Sequence, residues 1–129
     1  MMPNLLQYVI AMYACLRAGY IVVNINPLYT SREVNGTLRD SEAKAIIIIE
    51  NFAKTLQNAL PGTKCEHIIT TAVGDLFPFF KRTLVNFVVR KVKKMVPEYS
   101  LPNAVGFNEA LEIGRRHGFT AHEIHNTDI

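Results

Sequence analysis

The fold depends on one stretch, Ile21 to Glu33, which reads IVVNINPLYTSRE. Its first five residues are β-branched wherever they are not asparagine, a composition typical of a buried strand. Asn26-Pro27 ends this strand, because proline lacks an N–H group and restricts the preceding residue to extended conformations. Thr30 and Glu33 then have the spacing of a capping box. The stretch therefore predicts a strand, a sharp turn and a helix, a corner that can serve folding alone.

Two further apolar runs predict the other strands of the sheet. Ala45 to Ile49 is continuously apolar, as in a parallel strand covered on both faces, and His67 to Thr71 follows it. We interpret His67 as a packed histidine rather than a catalyst. Helices are predicted between the strands, from Arg32 to Ser41 with Val34 and Leu38 facing inward, and to Leu60 with Asn51 as the N-cap. This β-α-β-α-β order predicts an α/β fold with flanking helices on a parallel sheet of three or slightly more strands.

The segment from Met1 to Gly19 is so apolar that a membrane span must be considered. A span needs about 20 apolar residues, whereas Gln7 and Arg17 interrupt this run and Gly19 favours a helix stop. We expect a core helix packed on two sides, with Asn4 as its cap. The residues before it resemble the end of a strand, so the chain is expected to start in the middle of a domain.

Composition limits the chain to a few classes. Its 129 residues make one domain at most, nearly half of them are hydrophobic, and the formal net charge is +3. The two cysteines, Cys15 and Cys65, do not make a disulfide framework, so a reduced cytosolic location is expected. The N-terminus lacks the basic region and the cleavage site of a signal peptide.

A basic amphipathic helix is predicted from Gly74-Asp75 to about Val96. Its apolar face holds Phe80, Leu84, Phe87, Val88, Val92 and Met95. Such a helix can lie in a membrane interface with its cations on anionic headgroups, or its apolar side can join the protein core. The candidate membrane-surface residues are Lys81, Arg82, Arg90, Lys91, Lys93 and Lys94. Nucleic acid is not an expected partner, because aromatic residues do not interleave with these cations.

The rest of the chain predicts little chemistry. We divide the sequence into a core of the βαβαβ type (1–73), the basic helix (74–97), and a loop, short helix and tail (98–129). The tail contains His117, His122 and His125, but zinc requires four ordered ligands and no cysteine is near. We predict no metal-binding, catalytic or cofactor-binding residue.

Several motifs resemble the N-terminal part of the acyl-CoA synthetases, members of the adenylate-forming, AMP-binding superfamily. The resemblance lies in Met2-Pro3-Asn4, Leu16-Arg17-Ala18-Gly19, Asn26 to Glu33 and Leu38-Arg39-Asp40-Ser41. Val85 to Val89 and Met95 to Tyr99 are similar to the bacterial long-chain fatty-acid–CoA ligases in particular. The resemblance extends over nearly all of this chain, but it covers only a segment of the family's chain.

This resemblance implies an enzyme that uses ATP and Mg²⁺ to form an acyl-adenylate and then passes the acyl group to coenzyme A. It also implies a long-chain fatty acid as substrate and a cytoplasmic location, peripheral on the inner face of the cell membrane. In the family, a stretch like Asn126 to Ile129 precedes the strand that leads into the phosphate-binding loop. The ribose-binding acid, the magnesium-binding acid and the catalytic lysine come later, so we expect this segment to be inactive alone and to bind none of these cofactors.

Two alternatives come from other classes. One is a non-enzymatic α/β module that binds membrane surfaces through the segment from Lys81 to Lys94. The other is a small flavodoxin-like nucleotide binder, which is disfavoured because no βα loop here is shaped for phosphate. A segment of a larger sheet should also leave an unpaired edge and uncovered apolar faces, and it should self-associate. We expect those faces on Leu5 to Leu16 and Phe80 to Met95.

Overall fold

The computed structural model describes residues 1–119 of the chain. Three strands in this part form one parallel sheet in the order β1-β2-β3. The elements in chain order are α1 (Leu6–Arg17), α2 (Ser31–Asp40), β1 (Ala45–Ile49), a 3-10 turn (Glu50–Phe52), α3 (Ala53–Ala59), β2 (His67–Thr71), α4 (Phe79–Phe87), a π-helical segment (Val88–Val92), β3 (Ala104–Gly106) and α5 (Phe107–Arg116). The predicted α/β class, with a three-stranded parallel sheet and flanking helices, is confirmed.

The centre of the sheet follows the prediction. Strand β1 pairs with β2 from Ala45 opposite His67 to Ile49 opposite Thr71. Alternate residues of β1 enter the main core, where Ile48 is fully buried. The third strand, β3, is one that the sequence did not predict. It has only three residues, pairs with β2 next to Ile68, and lies where we expected a loop.

The strand predicted at Ile21 to Ile25 is wrong for this structure. The segment has no regular secondary structure, although Ile25 is buried in the core. No backbone group of residues 21–25 takes part in a hydrogen bond within the described part of the chain. The physical reason is that a strand is stabilised by its neighbour, and β-branched residues alone do not supply one.

The corner after this segment follows the prediction. The Thr30 backbone N–H donates to Glu33 Oε2 over 2.8 Å, and the Glu33 N–H donates to Thr30 Oγ1 over 3.4 Å. These bonds form the predicted capping box, and the hydrogen bonds from Thr30 lower the pKa of Glu33. Val34 and Leu38 of α2 are buried as expected. They form the core together with Leu56 of α3 and the inner residues of the sheet.

Two predicted helix caps are wrong, and so is the packing of His67. Leu5 rather than Asn4 precedes α1, and its side chain makes no capping bond. Asn51 lies in the 3-10 turn, and its amide donates to the Met95 carbonyl over 3.1 Å instead of capping α3. His67 is exposed. It is the first residue of β2, at the amino-terminal end of the strand, where its side chain stays in contact with solvent.

Helix α1 is not packed on two sides in the described part of the chain. Only Gln7 and Ala11 are buried, and Gln7 Nε2 donates to the Ala72 carbonyl over 3.0 Å. The large apolar residues on its other sides are exposed: Leu6, Val9, Ile10, Tyr13 and Leu16. Gly19 ends the helical stretch with a φ of 75°, as predicted. Within residues 1–119, no helix has both the length and the hydropathy that crossing a bilayer would require.

The first residue lies against the free edge of β1. The Met1 amino group donates to the Ile47 carbonyl over 2.7 Å, and the Ile49 N–H donates to the Met1 carbonyl over 3.2 Å. This is the bonding pattern of a parallel ladder. Burial lowers the pKa of the Met1 amino group to about 6. Met1 therefore occupies a strand position beside β1 without being part of a strand.

The turn between β2 and α4 is fixed by two polar side chains. Asp75 Oδ2 accepts from the Ala72 N–H over 2.7 Å, and Asn86 Oδ1 accepts from the Gly74 N–H over 2.8 Å. Asn86 Nδ2 also donates to Asp75 Oδ1 over 3.1 Å. These bonds hold the chain in a turn, so the long helix that was predicted to start at Gly74 begins at Phe79 instead.

Gly74 and Gly36 make a matched pair for testing this turn. A Cβ at Gly74 would lie 2.7 Å from Asn86 Oδ1 and 3.2 Å from the Arg82 carbonyl oxygen, whereas a Cβ at Gly36 meets nothing within 4 Å. We expect Gly74→Ala to lower the free energy of unfolding by about 1–3 kcal/mol. We expect Gly36→Ala, inside α2, to raise it by about 0.5–1 kcal/mol. Urea unfolding measures both, and equal effects of the two substitutions would contradict the turn.

Candidate functional site

Helix α4 and the segment after it carry all six predicted membrane-surface residues. Lys81 and Arg82 lie in α4, and Arg90 and Lys91 lie in the π-helical segment. Lys93 and Lys94 follow it, and Lys94 has a positive φ of 50°. The regular helix predicted as far as Val96 therefore ends earlier, and its last part has the wider turn of a π-helix.

Five of the six cations have no acidic partner among the described residues. Within residues 1–119, no carboxylate forms an ion pair with Lys81, Arg82, Lys91, Lys93 or Lys94. Lys81 Nζ lies 4.5 Å from the centre of the Phe77 ring, and the Arg82 guanidinium lies 5.8 Å from that of Phe79. Such contacts leave the positive charge available to an anionic surface.

Arg90 is engaged differently. Its Nε donates to both carboxylate oxygens of Glu50 over 2.9 Å, and its Nη2 donates to Glu50 Oε2 over 2.7 Å. Glu50 is only 3% exposed, while the Arg90 side chain is about half exposed. Hydrogen bonding to Glu50 raises the pKa of Arg90. Sequence reasoning missed this pair because its members lie 40 residues apart and no local pattern connects them.

The apolar face of α4 points away from the rest of the described structure. Phe80 is 86% exposed, and the only buried residue of α4 is Asn86. Of the residues predicted on this face, Val88 is half-buried and the others are exposed: Phe80, Leu84, Phe87, Val92 and Met95. Asn86 of α4 and Arg90 of the π-helical segment make polar contacts with the body of the structure, and Val85, Val88 and Val89 are half-buried. The aromatic side of the helix faces outward.

A cleft of about 260 Å³ lies at the carboxyl ends of the strands, beside the Glu50–Arg90 pair. Its walls include Glu50 after β1, Thr71 and Asp75 after β2, and Glu109 after β3. Tyr99 closes one side, and its pKa is raised by burial and by the charge of Glu50. Carboxyl edges of parallel sheets are common ligand sites.

The cleft does not fit the phosphates of ATP or coenzyme A. Its lining carries three carboxylates, those of Glu50, Asp75 and Glu109, against the single guanidinium of Arg90, which is already paired. A triphosphate requires a positively charged lining and a set of converging backbone N–H donors. Nor do the described residues contain a group of three His, Cys, Asp or Glu side chains placed to hold a magnesium ion.

The histidines of the tail lie only partly within the described residues. His117 Nδ1 is 2.8 Å from the Ile113 carbonyl oxygen, in a contact at the end of α5. His122 and His125 lie outside residues 1–119.

Removing Arg90 should destabilise the chain, because it would leave the buried Glu50 carboxylate without its partner. We expect Arg90→Met to cost about 2–3 kcal/mol, less than for a fully buried pair because Arg90 is half exposed. The double substitution Glu50→Gln with Arg90→Met should recover most of this loss. Lys91→Met is the control, since Lys91 has no described partner, and we expect it to be nearly neutral. A urea-unfolding double-mutant cycle in which Arg90→Met matches Lys91→Met would contradict the assignment.

Comparison with known proteins gives the family. The family described as AMP-binding enzyme matches residues 1–112. The chain is 54% identical to a long-chain-fatty-acid–CoA ligase of Haemophilus influenzae over 129 residues and 52% identical to one of Yersinia pestis over 128 residues. These alignments cover 100% and 99% of this chain, and 23% of each relative. A Bacillus subtilis protein of the same name is 38% identical over 84 residues, which are 65% of this chain and 15% of that protein.

No solved structure matches the chain at the significance applied to these relatives. The chain spans about a quarter of the length of the curated relatives that it matches from end to end. The family match covers most of the sequence and includes the capping-box corner and the sheet. The chain belongs to the AMP-binding enzyme family.

Proposed function

We propose that this chain is a segment of a bacterial long-chain fatty-acid–CoA ligase, which uses ATP and Mg²⁺ to activate a fatty acid through an acyl-adenylate and transfers the acyl group to coenzyme A. The observation that carries the proposal is 54% identity to a curated ligase over the whole chain. The parallel sheet is consistent with it. The segment supplies scaffold to that enzyme.

The segment alone should be inactive. The cleft at the carboxyl edge has the wrong charge for a triphosphate, and the sequence has no Gly/Ser/Thr-rich loop. Electrostatic stabilisation by preorganised donors is usually the largest part of catalysis, and even one lost donor costs about a hundredfold in rate. ATP, Mg²⁺ and coenzyme A would therefore be bound by other parts of the ligase.

A chimera tests the ligase proposal. It joins this chain to the part of the Haemophilus influenzae ligase that the chain does not cover. With palmitate and Mg²⁺–ATP, we expect the chimera to exchange pyrophosphate into ATP and to form acyl-CoA. The isolated chain should give the same signal as a blank. The matched control replaces this chain in the chimera with the corresponding residues of the Yersinia pestis relative, which is 52% identical to this chain. An inactive chimera beside an active control would contradict the proposal.

We further propose that α4 and the segment after it bind the anionic inner surface of the cell membrane, which places the protein in the cytoplasm and peripherally on the bilayer. Support comes from the outward orientation of the apolar face, where Phe80 is 86% exposed. The same segment contains cations with no ion-pair partner within residues 1–119, among them Lys91, Lys93 and Lys94. An apolar face among acyl chains with cations at the headgroups is the arrangement of an interfacial helix.

Two triple variants that each remove three positive charges distinguish binding through the cations after α4 from binding through the net charge of the chain. Replacing Lys91, Lys93 and Lys94 with Gln should weaken binding to vesicles rich in anionic lipid on the order of 100-fold, at about 1 kcal/mol per cation. Replacing Arg32, Arg39 and Lys44 with Gln, at exposed positions in and just after α2, should have little effect. Cosedimentation at low salt measures both.

Two results would contradict the membrane proposal. Equal weakening by the two triple variants would assign binding to net charge alone. Phe80→Ser should also weaken binding because it removes the most exposed ring of the face. If that variant instead abolishes self-association in analytical ultracentrifugation and leaves vesicle binding unchanged, the face is a contact between copies of the chain.

A further inference from the structure

The segment from Ile21 to Ile25 has the sequence of a strand but pairs with no strand in the part of the chain that the structure describes. Four of its five residues are β-branched, a composition that suits a pleated, half-buried surface. None of its backbone N–H or C=O groups takes part in a hydrogen bond within residues 1–119. Backbone groups of this kind are nearly always paired when they are covered. The segment therefore has the composition of a covered strand but, in the described part of the chain, no strand partner and only partial cover.

The exposure of its side chains shows where the cover is missing. In an extended chain, residues 21, 23 and 25 point to one face. Ile25 reaches the core with 7% exposure, whereas Ile21 on the same face is 73% exposed and Val23 is 42% exposed. The core layer beneath this face thus ends at Ile25. A layer of protein that covers Ile21 and Val23 would extend the same core toward the N-terminal end of the segment.

Helix α1 lies against this segment and shares its character. The Tyr20 N–H donates to the Cys15 carbonyl over 2.9 Å, and Tyr8 Oη donates to Asn24 Oδ1 over 3.3 Å. The outer face of α1 is exposed and apolar, and Arg17 is the only charged side chain from Met1 to Thr30. The two elements therefore form one apolar surface with a single charged side chain, which we call the α1 surface and define as residues 6–25.

A lipid bilayer is a poor occupant for the α1 surface. Arg17 is its only cation, so the surface offers little electrostatic attraction to anionic lipid headgroups. Lipid also offers no hydrogen bonds to the backbone of residues 21–25, and each unsatisfied group costs several kcal/mol in a hydrocarbon environment. A protein strand satisfies that backbone and covers the apolar side chains at the same time.

We propose that residues 21–25 pair with a strand supplied by the rest of the ligase polypeptide, and that the same part covers the outer face of α1. This inference rests on the proposed ligase function, because the chain covers 23% of the matched relatives and about three-quarters of each lies outside it. That remainder is large enough to supply a strand and a layer of helices. Ile21 and Val23 are the side chains that the new layer buries.

Hydrogen exchange in the isolated chain and in the chimera tests the pairing. We expect the amides of residues 21–25 to exchange rapidly in the isolated chain and to be slowed about 100-fold or more in the chimera, as for amides of core strands. The amides of Ile46 to Ile48 in β1 are the internal reference and should be protected in both. An active chimera in which residues 21–25 still exchange rapidly would overturn the pairing and leave the ligase proposal intact. An inactive chimera beside an active control would count against both.

A two-chain experiment serves if the chimera does not fold. This chain and the rest of the Haemophilus influenzae ligase are expressed together as separate polypeptides, and co-purification is measured. Val23→Asp should leave the stability of the isolated chain nearly unchanged and reduce complex formation at least about 100-fold, because it introduces a charge into a layer that is to be buried. Phe80→Asp, an equally drastic change at an exposed position of α4, should leave the complex intact.

Three results of the two-chain experiment would overturn the inference. The first is a complex that survives Val23→Asp, and the second is equal loss with both variants. The third is protection of residues 21–25 in the isolated chain that grows with its concentration, since that would assign the edge to a second copy of the chain.

Discussion

The burial of the Glu50 carboxylate constrains much of this structure. A charged group with 3% exposure must be paired, because an isolated buried charge costs several kcal/mol. Its partner, Arg90, comes from the π-helical segment 40 residues later, with both carboxylate oxygens engaged. This pair and the bonds of Asn86 fix which side of α4 faces the sheet. The side that faces outward is consequently the one with the aromatic residues, whereas the apolar side of a surface helix usually faces the core.

The local elements of the fold could be predicted from sequence where interactions within a short stretch are enough to form the element. The capping box at Thr30 and Glu33 needs only residues three apart, and the apolar run of β1 needs only a covered sheet. Prediction failed where the cause lies elsewhere in the chain. Asn51 has the chemistry of a cap, but its amide is held by the Met95 carbonyl, 44 residues away. Strand β3 has three residues, too few for any periodicity to show.

The candidate site shows the same division. The six cations and the apolar residues of α4 were evident from composition and helical spacing alone. That Arg90 is neutralised by Glu50, while Lys91 beside it is unpaired in the described part, depends on a tertiary contact. The missing strand at Ile21 to Ile25 is a different kind of error. There the residue types indicated a strand, and the structure shows that a strand also needs a neighbour.

The bond from Gln7 to the Ala72 carbonyl has a consequence for how the chain matures during synthesis. It joins residues 65 positions apart, and it is a buried hydrogen bond that ties α1 to the end of β2. At roughly 5–20 residues per second, the ribosome needs about 3–13 s to make the residues between these two partners. During that interval α1 is a newly made apolar helix without its docking position. Such a segment is what nascent-chain chaperones bind, so α1 is open to them until Ala72 has been made.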